Sequence, residues 1–298
     1  MRISTQMLFE NGANRLGELQ TSLVKTQLQI STGKRILTPS DDPVAAARAL
    51  EVGQHQALNT QYGRNRVYAQ NALSMAEGTL ASVTALIQDV KDVVTAAGNG
   101  ALGDSERSFQ ATELNARFEQ LLGLANTRDS NGNYLFSGFQ NTTPAFSRTA
   151  TGANYQGDLG QQLIQVESTR QMAVSNPGQS VFQGGGQDIF QTLNDLINLL
   201  QTPGAPSAAA LATHQDNLSL ALDNSLTVRA SLGSRLQEID ALNNFGDDRG
   251  LQYSQILSEL QDLDYTQALT KLSQQQITLE AAQRTFVTIS KLSLFNFI

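Results

Sequence analysis

Hydrophobic residues recur at alternating steps of three and four along the longest proline-free stretch of the chain. These positions are Leu73, Ala76, Leu80, Val83, Ile87, Val90 and Val94. Such spacing is typical of a coiled-coil seam. Pro43 suits the first turn of a helix that Asp41 or Asp42 would cap. We therefore predict one helix from Pro43 to about Ala97 and a second over roughly 104–126.

The same apolar pattern returns after Pro206, the last proline in the chain. Its positions are Leu211, Leu218, Leu222, Leu232, Leu236 and Ile239. Gly246 and Gly250 weaken the pattern, because glycine is a poor helix former. The sequence therefore predicts another long helix and leaves its continuity across 245–250 open.

Both ends of the chain carry seven-residue repeats. The N-terminal repeat consists of Phe9, Leu16, Leu23, Ile30 and Leu37; the C-terminal pattern consists of Tyr265, Ala268, Leu272, Gln275, Leu279, Ala282, Phe286 and Ile289. A single helix cannot bury such a stripe, so the two stripes must pack against each other or against other chains. We favour packing between chains. The predicted assembly interface consists of Phe9, Leu16, Leu23, Ile30, Leu272, Leu279, Phe286 and Ile289.

The middle of the chain, 131–186, differs from both flanks. It is rich in glycine and aromatic residues and poor in charge. Leu163 to Val166, together with Tyr134, Phe136 and Phe139, read as short strands between turn signals. We predict a small β-rich insertion here.

These patterns define the predicted fold class, which is mainly α with a β-rich insertion. Both termini build an elongated antiparallel helical bundle or coiled-coil rod, and the small β domain lies at its distal end. The predicted domains are terminal heptad helices (1–43 with 255–298), a helical rod (44–130 with 187–254) and the β-rich insertion (131–186).

Composition narrows the function. The net charge of −7 argues against nucleic acid as a partner, since a phosphate backbone requires a basic surface. No apolar run is long enough for a membrane span, so no membrane partner is expected. The chain contains no cysteine, which excludes disulfides and thiolate metal sites. The N-terminus has no apolar signal-peptide core, so export would use another route.

Three short motifs suggest enzyme chemistry but lack its context. Ser31-x-x-Lys34 has the spacing of an acylating serine without the companion motifs. Gly98-x-Gly-x-x-Gly103 spells a dinucleotide fingerprint, yet it follows a predicted helix rather than a strand. Asp129-Ser-Asn-Gly-Asn133 begins like a calcium loop but has Tyr134 where glycine is required. We therefore predict no enzyme activity, no catalytic residue, no cofactor and no metal.

Several longer motifs resemble the flagellin family, and its hook-associated branch in particular. They are TGKRILTPSDDPVAAARAL around Pro43, YLFSG at Tyr134, RASLGSRLQEIDALNN from Arg229, and LSLFNFI at the C-terminus. The resemblance covers about 1–130 and 205–298.

The resemblance implies a structural adaptor of the bacterial flagellum, extracellular and exported by the flagellar type III pathway without a cleaved signal peptide. Expected partners are copies of the chain in a ring, the first hook-associated protein on the hook side, flagellin on the filament side, and a cytoplasmic export chaperone at the C-terminal segment. The terminal helices are expected to be disordered in the free monomer. The segment containing Gly33, Pro39, Asp41, Asp42 and Pro43 is interpreted as an inter-domain joint.

Two alternatives stay open at the level of sequence. The first is a minor flagellin, which would form long filaments by itself. The second is a surface glycan- or ligand-binding module in which aromatic residues of the insertion line a sugar site. A small β core is the interpretation we favour for those aromatic residues.

Overall fold

A computed structural model describes residues 5–295 of the chain. The first four and last three residues, and with them the ends of the predicted terminal segments and of the LSLFNFI motif, lie outside the described residues. In chain order the elements are α1 (Thr5–Thr32), α2 (Pro43–Ala97), α3 (Asp104–Ala125), β1 (Phe146–Thr149), β2 (Gly152–Tyr155), β3 (Leu163–Glu167), β4 (Arg170–Ala173), α4 (Gly178–Phe182), α5 (Ile189–Gln201), α6 (Ala208–Gln261) and α7 (Tyr265–Phe295).

The helix predicted from Pro43 to Ala97 is confirmed as α2. The backbone N–H of Ala45 donates to Oδ1 of Asp42 at 3.0 Å, so Asp42 is the residue that caps it. Proline fits the first helical position because its missing N–H would have no partner there. The second predicted helix is confirmed as α3, which ends one residue earlier than expected.

The chain divides into two compact units, which we call the terminal unit (Met1–Leu58 with Asp248–Ile298) and the central unit (Asn59–Asp247). These boundaries differ from the three predicted domains, so the three-part division stays a prediction. In the central unit, all seven predicted seam residues of α2 are buried. They share one hydrophobic core with buried or half-buried apolar residues of α6, including Leu218, Leu232 and Ile239.

Helix α6 is continuous through Gly246, which settles the question that the sequence left open. Gly246 is buried because Asn59 Nδ2 donates to its carbonyl oxygen at 2.7 Å and the Arg66 guanidinium lies against its Cα. Arg66 Nε also donates to Asn243 Oδ1 at 2.7 Å. These contacts from α2 outweigh the poor helix propensity of glycine, which is about 1 kcal/mol relative to alanine.

The strands form two separate antiparallel hairpins, β1–β2 and β3–β4. The predicted strand from Leu163 to Val166 is confirmed as β3. The strand prediction for Tyr134, Phe136 and Phe139 is wrong, because that segment folds into turns; Tyr134 forms only an isolated bridge with Arg128. Gly138 has φ of 71°, a left-handed conformation that interrupts any strand there.

Phenylalanine rings form the core beneath the hairpins. Phe146 lies 5.4 Å from Phe182 and 4.9 Å from Phe190, and Phe136 meets Phe182 edge-to-face at 5.4 Å between ring centroids. Phe190 belongs to α5, which the sequence reading did not single out as a helix. Asp188 caps α5 by accepting the N–H groups of Phe190 and Gln191. The cluster therefore joins helix α5 to the hairpins.

In the terminal unit, α1 ends at Thr32, where Gly33 takes φ of 69°. Leu37, which continues the heptad repeat in the sequence, is therefore not part of the helix. A left-handed glycine directly after a helix is a common helix terminator. The seven-residue repeat in the sequence therefore continues one position, Leu37, beyond the end of helix α1.

Candidate functional site

The two terminal helices pack against each other within one chain. The ring centroids of Phe9 on α1 and Phe286 on α7 lie 4.9 Å apart. Gln275 Nε2 donates to Ser22 Oγ at 2.7 Å further along the pair. Part of the predicted assembly stripe is therefore used inside the chain.

The predicted stripe residues occupy the less exposed side of this helix pair, with two exceptions. Leu16, Leu23, Ile30, Leu272, Leu279 and Phe286 are half-buried. They alternate with Gly12, Leu19 and Thr26 on α1 and with Ala268, Gln275 and Ala282 on α7, which are also half-buried or buried. Phe9 and Ile289 remain 54% and 50% exposed. The heptad prediction thus locates one side of the pair, and the role of these residues in assembly stays a prediction.

A second group of apolar residues on the same helices was missed by the sequence reading. Each of its members is at least half exposed: Met7, Val24, Leu28, Leu269, Ile277 and Val287. Their signal in the sequence is that they are apolar yet lie outside the seven-residue repeat. We call these six residues the outer apolar set. Two of them, Leu269 and Ile277, line one shallow depression together, and a contiguous exposed apolar surface often marks a contact site.

The connection after α1 is tied to the connection before α7. Leu263 N–H donates to the Gly33 carbonyl at 2.9 Å, and Arg35 N–H donates to the Gln261 carbonyl at 2.7 Å. Lys34 and Asp262 thereby form an isolated antiparallel bridge. These backbone contacts hold the C-terminal end of α1 next to the N-terminal end of α7.

The structure places four of the five predicted joint residues, Gly33, Pro39, Asp41 and Asp42, in the segment that connects α1 to α2, and the fifth, Pro43, is the first residue of α2. Asp41 Oδ2 accepts the N–H groups of Leu37 and Thr38 at 3.0 and 3.1 Å, and Lys25 Nζ donates to its Oδ1 at 2.5 Å. The hydrogen bond from Lys25 and those from the two backbone N–H groups lower the Asp41 pKa from its ordinary 3.8 to about 2.

Asp42 has a separate role in this segment. Its pKa is also lowered, chiefly by the Ala45 N–H that it caps, and its other carboxylate oxygen pairs with Arg35 at 3.2 Å. Pro39 is exposed, and Pro43 opens α2. The two adjacent aspartates therefore have different roles: Asp41 stabilises the turn, and Asp42 caps helix α2.

Comparison with known proteins identifies the family to which this chain belongs. The family model for the bacterial flagellin N-terminal helical region matches residues 3–141. The chain is 36% identical over 316 residues to flagellar hook-associated protein 3 of Escherichia coli (strain K12), covering 99% of both chains. The chain belongs to the flagellar hook-associated protein 3 family. It is a structural component of the bacterial flagellum and not an enzyme.

Solved structures share the fold of this family member. A putative flagellar hook-associated protein from Vibrio parahaemolyticus aligns with a TM-score of 0.70 and 23% identity, over 74% of this chain and 100% of that one. The flagellar junction protein FlgL from Legionella pneumophila aligns with a TM-score of 0.61 and 20% identity, over 72% and 100%. The mainly helical fold with two small hairpins is thus the hook-associated fold.

Within residues 5–295 we find no helix suited to crossing a membrane and no group of three or more metal-ligating side chains. Gly98, Gly100 and Gly103 all lie in the turn between α2 and α3, so the motif follows a helix rather than a strand.

The aromatic residues of the insertion are mostly buried. Phe136, Phe146 and Phe182 are at most 2% exposed, and Tyr134 is 9% exposed. Phe139 is the exception, at 63%. Rings that pack against each other in a core cannot also line a sugar site, so the glycan-binding alternative loses the residues on which it depended.

Proposed function

We propose that this hook-associated protein 3 family member is the structural adaptor that joins the flagellar hook to the flagellin filament. The observation that carries the proposal is 36% identity over 99% of both chains to flagellar hook-associated protein 3 of E. coli. The name of the Legionella structure, a flagellar junction protein, supports the same role. Identity that extends over the full length covers the terminal helices as well as the insertion.

The proposed partners follow from the role of an adaptor. Copies of the chain form a ring, the first hook-associated protein binds on the hook side, and flagellin binds on the filament side. The α1–α7 pair supports this proposal, because its outer apolar set has no cover within the residues that the structure describes. Covering it with other subunits would remove that apolar surface from water.

We extend the proposal to the predicted interface residues. Phe9 and Ile289, both half exposed, can contact a neighbouring subunit together with the outer apolar set. Leu16, Leu23, Ile30, Leu272, Leu279 and Phe286 would instead hold the α1–α7 pair in the shape that assembles. The segment from Gly33 to Pro43 would act as the joint between the terminal helices and the rod.

Export completes the proposal. The chain would leave the cell through the flagellar type III pathway, with its C-terminal segment held beforehand by a cytoplasmic chaperone. The three-part domain division remains a prediction within this proposal. So does the expectation that the terminal helices order only on assembly, which slow hydrogen exchange of the α1 amides in the free chain would contradict.

The test is a deletion of the gene in its own bacterium, with electron microscopy of the cells and an assay of flagellin in the medium. We expect bare hooks and flagellin that is secreted but unattached. Intact filaments would contradict the adaptor role and favour a minor flagellin. Self-polymerisation of the purified chain into long filaments at raised salt would favour the minor flagellin as well.

A further inference from the structure

A cleft in the central unit carries an inference that is independent of the junction role. It lies between one face of α2 and the turns that follow α3, and its volume is about 310 Å³. This volume is at the lower end of the range of small-molecule pockets, about 300–1,000 Å³. The cleft can therefore hold a small ligand or one residue of a longer one.

Neutral polar side chains line the cleft together with apolar ones such as Met75 and Leu135. Asn71, Asn141 and Gln162 contribute side-chain amides, and Tyr68 on α2 contributes a ring that is 46% exposed. Among the described residues, none forms a hydrogen bond within the protein to these three side-chain amides. Each amide offers two donors and an acceptor. Several amides beside an exposed ring form a site that can bind hydroxyl groups.

Charge excludes the main competing ligands. The described lining residues include no Lys or Arg, and the nearby Arg128 guanidinium is engaged over the Tyr134 ring, 4.4 Å from its centroid. The lining itself therefore gives an anion no opposite charge. The single carboxylate is that of Asp129, whose Oδ1 accepts the N–H groups of Asn131 and Asn133, each at 2.8 Å. Asp129 thus holds its own turn, and one carboxylate engaged in this way is a poor site for a cation. A neutral ligand fits best.

The walls of the cleft are held in place by hydrogen bonds. Tyr134 N–H donates to the Asn141 carbonyl at 2.8 Å, and Val174 N–H donates to the Gln162 carbonyl at 2.8 Å. Gln162 N–H in turn donates to Ser175 Oγ at 2.9 Å. The backbone that carries two of the three amides is therefore fixed before a ligand arrives, which lowers the entropic cost of binding.

We propose that this cleft binds a neutral sugar residue, with the Tyr68 ring against one face of the sugar and the amides of Asn71, Asn141 and Gln162 on its hydroxyl groups. The proposal differs from the glycan site considered at the level of sequence. That site used the aromatic residues of the insertion as the sugar-binding surface. This one uses the exposed ring of Tyr68 on α2 and three amides, two of which belong to the insertion; Tyr134 of the insertion also lines the cleft but is only 9% exposed.

The test is saturation-transfer NMR on the full chain with the methyl β-glycosides of glucose, galactose and N-acetylglucosamine. A ligand of about a dozen heavy atoms is expected to bind with a dissociation constant on the order of 1 mM. The disaccharides cellobiose and chitobiose separate two sources: tighter binding than the monosaccharides indicates a residue of a glycan chain, and equal binding indicates a free sugar.

Variants locate the binding. Tyr68→Ala is expected to weaken binding at least about tenfold, while Tyr68→Phe, which keeps the ring, stays within about threefold. Phe109→Ala is the matched control, because Phe109 is exposed on α3 and does not line the cleft. Far-UV circular dichroism checks that each variant is folded. Failure of all five sugars to give saturation transfer, or unchanged binding by folded Tyr68→Ala, would overturn the proposal.

Discussion

The ring of Phe286 on α7 lies directly over Gly12 on α1, beside its aromatic partner Phe9. A methyl group built on Gly12 would lie 2.7 Å from Cδ2 of the Phe286 ring. Apart from the neighbouring residues and backbone of α1 itself, no described atom lies within 4 Å of a methyl group built on Gly17, on the same helix. The absence of a side chain at Gly12 therefore allows the two terminal helices to approach at this point, whereas Gly17 has no such role.

Replacing each glycine by alanine separates helix propensity from helix packing. Gly17→Ala is expected to stabilise α1 by about 1 kcal/mol, because alanine is the better helix former. Gly12→Ala gains the same propensity but forces the Phe286 ring to move. We expect hydrogen exchange of the α1 amides to slow in Gly17→Ala and to quicken in Gly12→Ala.

Phe286→Ala supplies the control for this comparison. In that background the ring is gone, so Gly12→Ala should slow exchange as Gly17→Ala does. If Gly12→Ala slowed exchange equally in the native background, the Phe286 contact over Gly12 would be ruled out.

A second pair of glycines tests the central unit. A methyl group at Gly246 would overlap the guanidinium of Arg66, which is only 2% exposed. At Gly233 on the same helix, no described atom beyond the local backbone of α6 lies within 4 Å of such a methyl group. Gly246→Ala should therefore lower the free energy of unfolding by about 1–3 kcal/mol. Gly233→Ala should raise it by about 1 kcal/mol.

Urea denaturation followed by circular dichroism measures both changes. Equal effects of the two substitutions would mean that Arg66 does not pack against α6 at Gly246. Arg64→Ala is a control for the loss of arginine from α2, because Arg64 is exposed. Its expected effect is within about 0.5 kcal/mol.

The contrast between Pro43 and Gly246 shows which features of the helices could be predicted from the sequence. The bounds of α2 were predictable because proline and an aspartate cap act locally, within a few residues of Pro43. The continuity of α6 was not, because it depends on side chains of Asn59 and Arg66 that are distant in sequence. The turns around Gly138 were misread for a similar reason. Aromatic residues there favour strands by propensity. In the structure, however, Phe136 packs into a core to which α5 contributes.

The candidate assembly site was predictable only in part. A seven-residue repeat locates the side of a helix that packs, and Leu16, Leu23 and Leu279 do lie on that side. The repeat does not specify whether the partner is in the same chain. The outer apolar set follows no repeat, so only the packed pair distinguishes Ile277, which is exposed, from Leu279, two residues further on.

The contacts of Asp41 predict how the stability of the turn at the joint depends on pH. The pKa of Asp41 is about 2 in the folded chain against an ordinary 3.8, so its carboxylate stabilises the turn fully above about pH 4. That stabilisation is lost as the pH falls from about 4 to about 2, because the protonated carboxyl group accepts hydrogen bonds poorly. We expect an Asp41 carboxyl titration by NMR to show a midpoint near pH 2.

Lys25→Met tests the cause of this shift. The hydrogen bond from Lys25 is the largest contribution to it, so its removal should raise the Asp41 midpoint towards the ordinary range. Arg15→Met is the control, because it removes another positive charge from α1 that pairs with Glu18 and not with Asp41. It should leave the Asp41 midpoint unchanged. A native midpoint near 3.8 would contradict the contacts described at the joint.

The last prediction concerns assembly, and it uses two neighbouring positions on α7. The sequence alone predicts that Leu279→Asp or Phe286→Asp leaves the monomer folded and blocks assembly. The structure changes this expectation, because Phe286 packs against Phe9 and Gly12 of α1 and Leu279, seven residues earlier on the same helix, is half-buried. A charge at either position would loosen the helix pair. Ile277 is 67% exposed, so Ile277→Asp should leave the pair intact and still prevent a neighbouring subunit from covering that surface.

Complementation of the gene deletion measures the difference. We expect Ile277→Asp to be secreted and to show native exchange of the α1 amides, yet to leave hooks without filaments. Leu279→Asp should also leave bare hooks but with faster exchange in α1. Gln283→Asp, at an exposed polar position of the same helix, controls for the added charge and should restore filaments. If Ile277→Asp restored filaments as well, the outer apolar set would not be an assembly surface, and the contacts between subunits would have to use the exposed Phe9 and Ile289 instead.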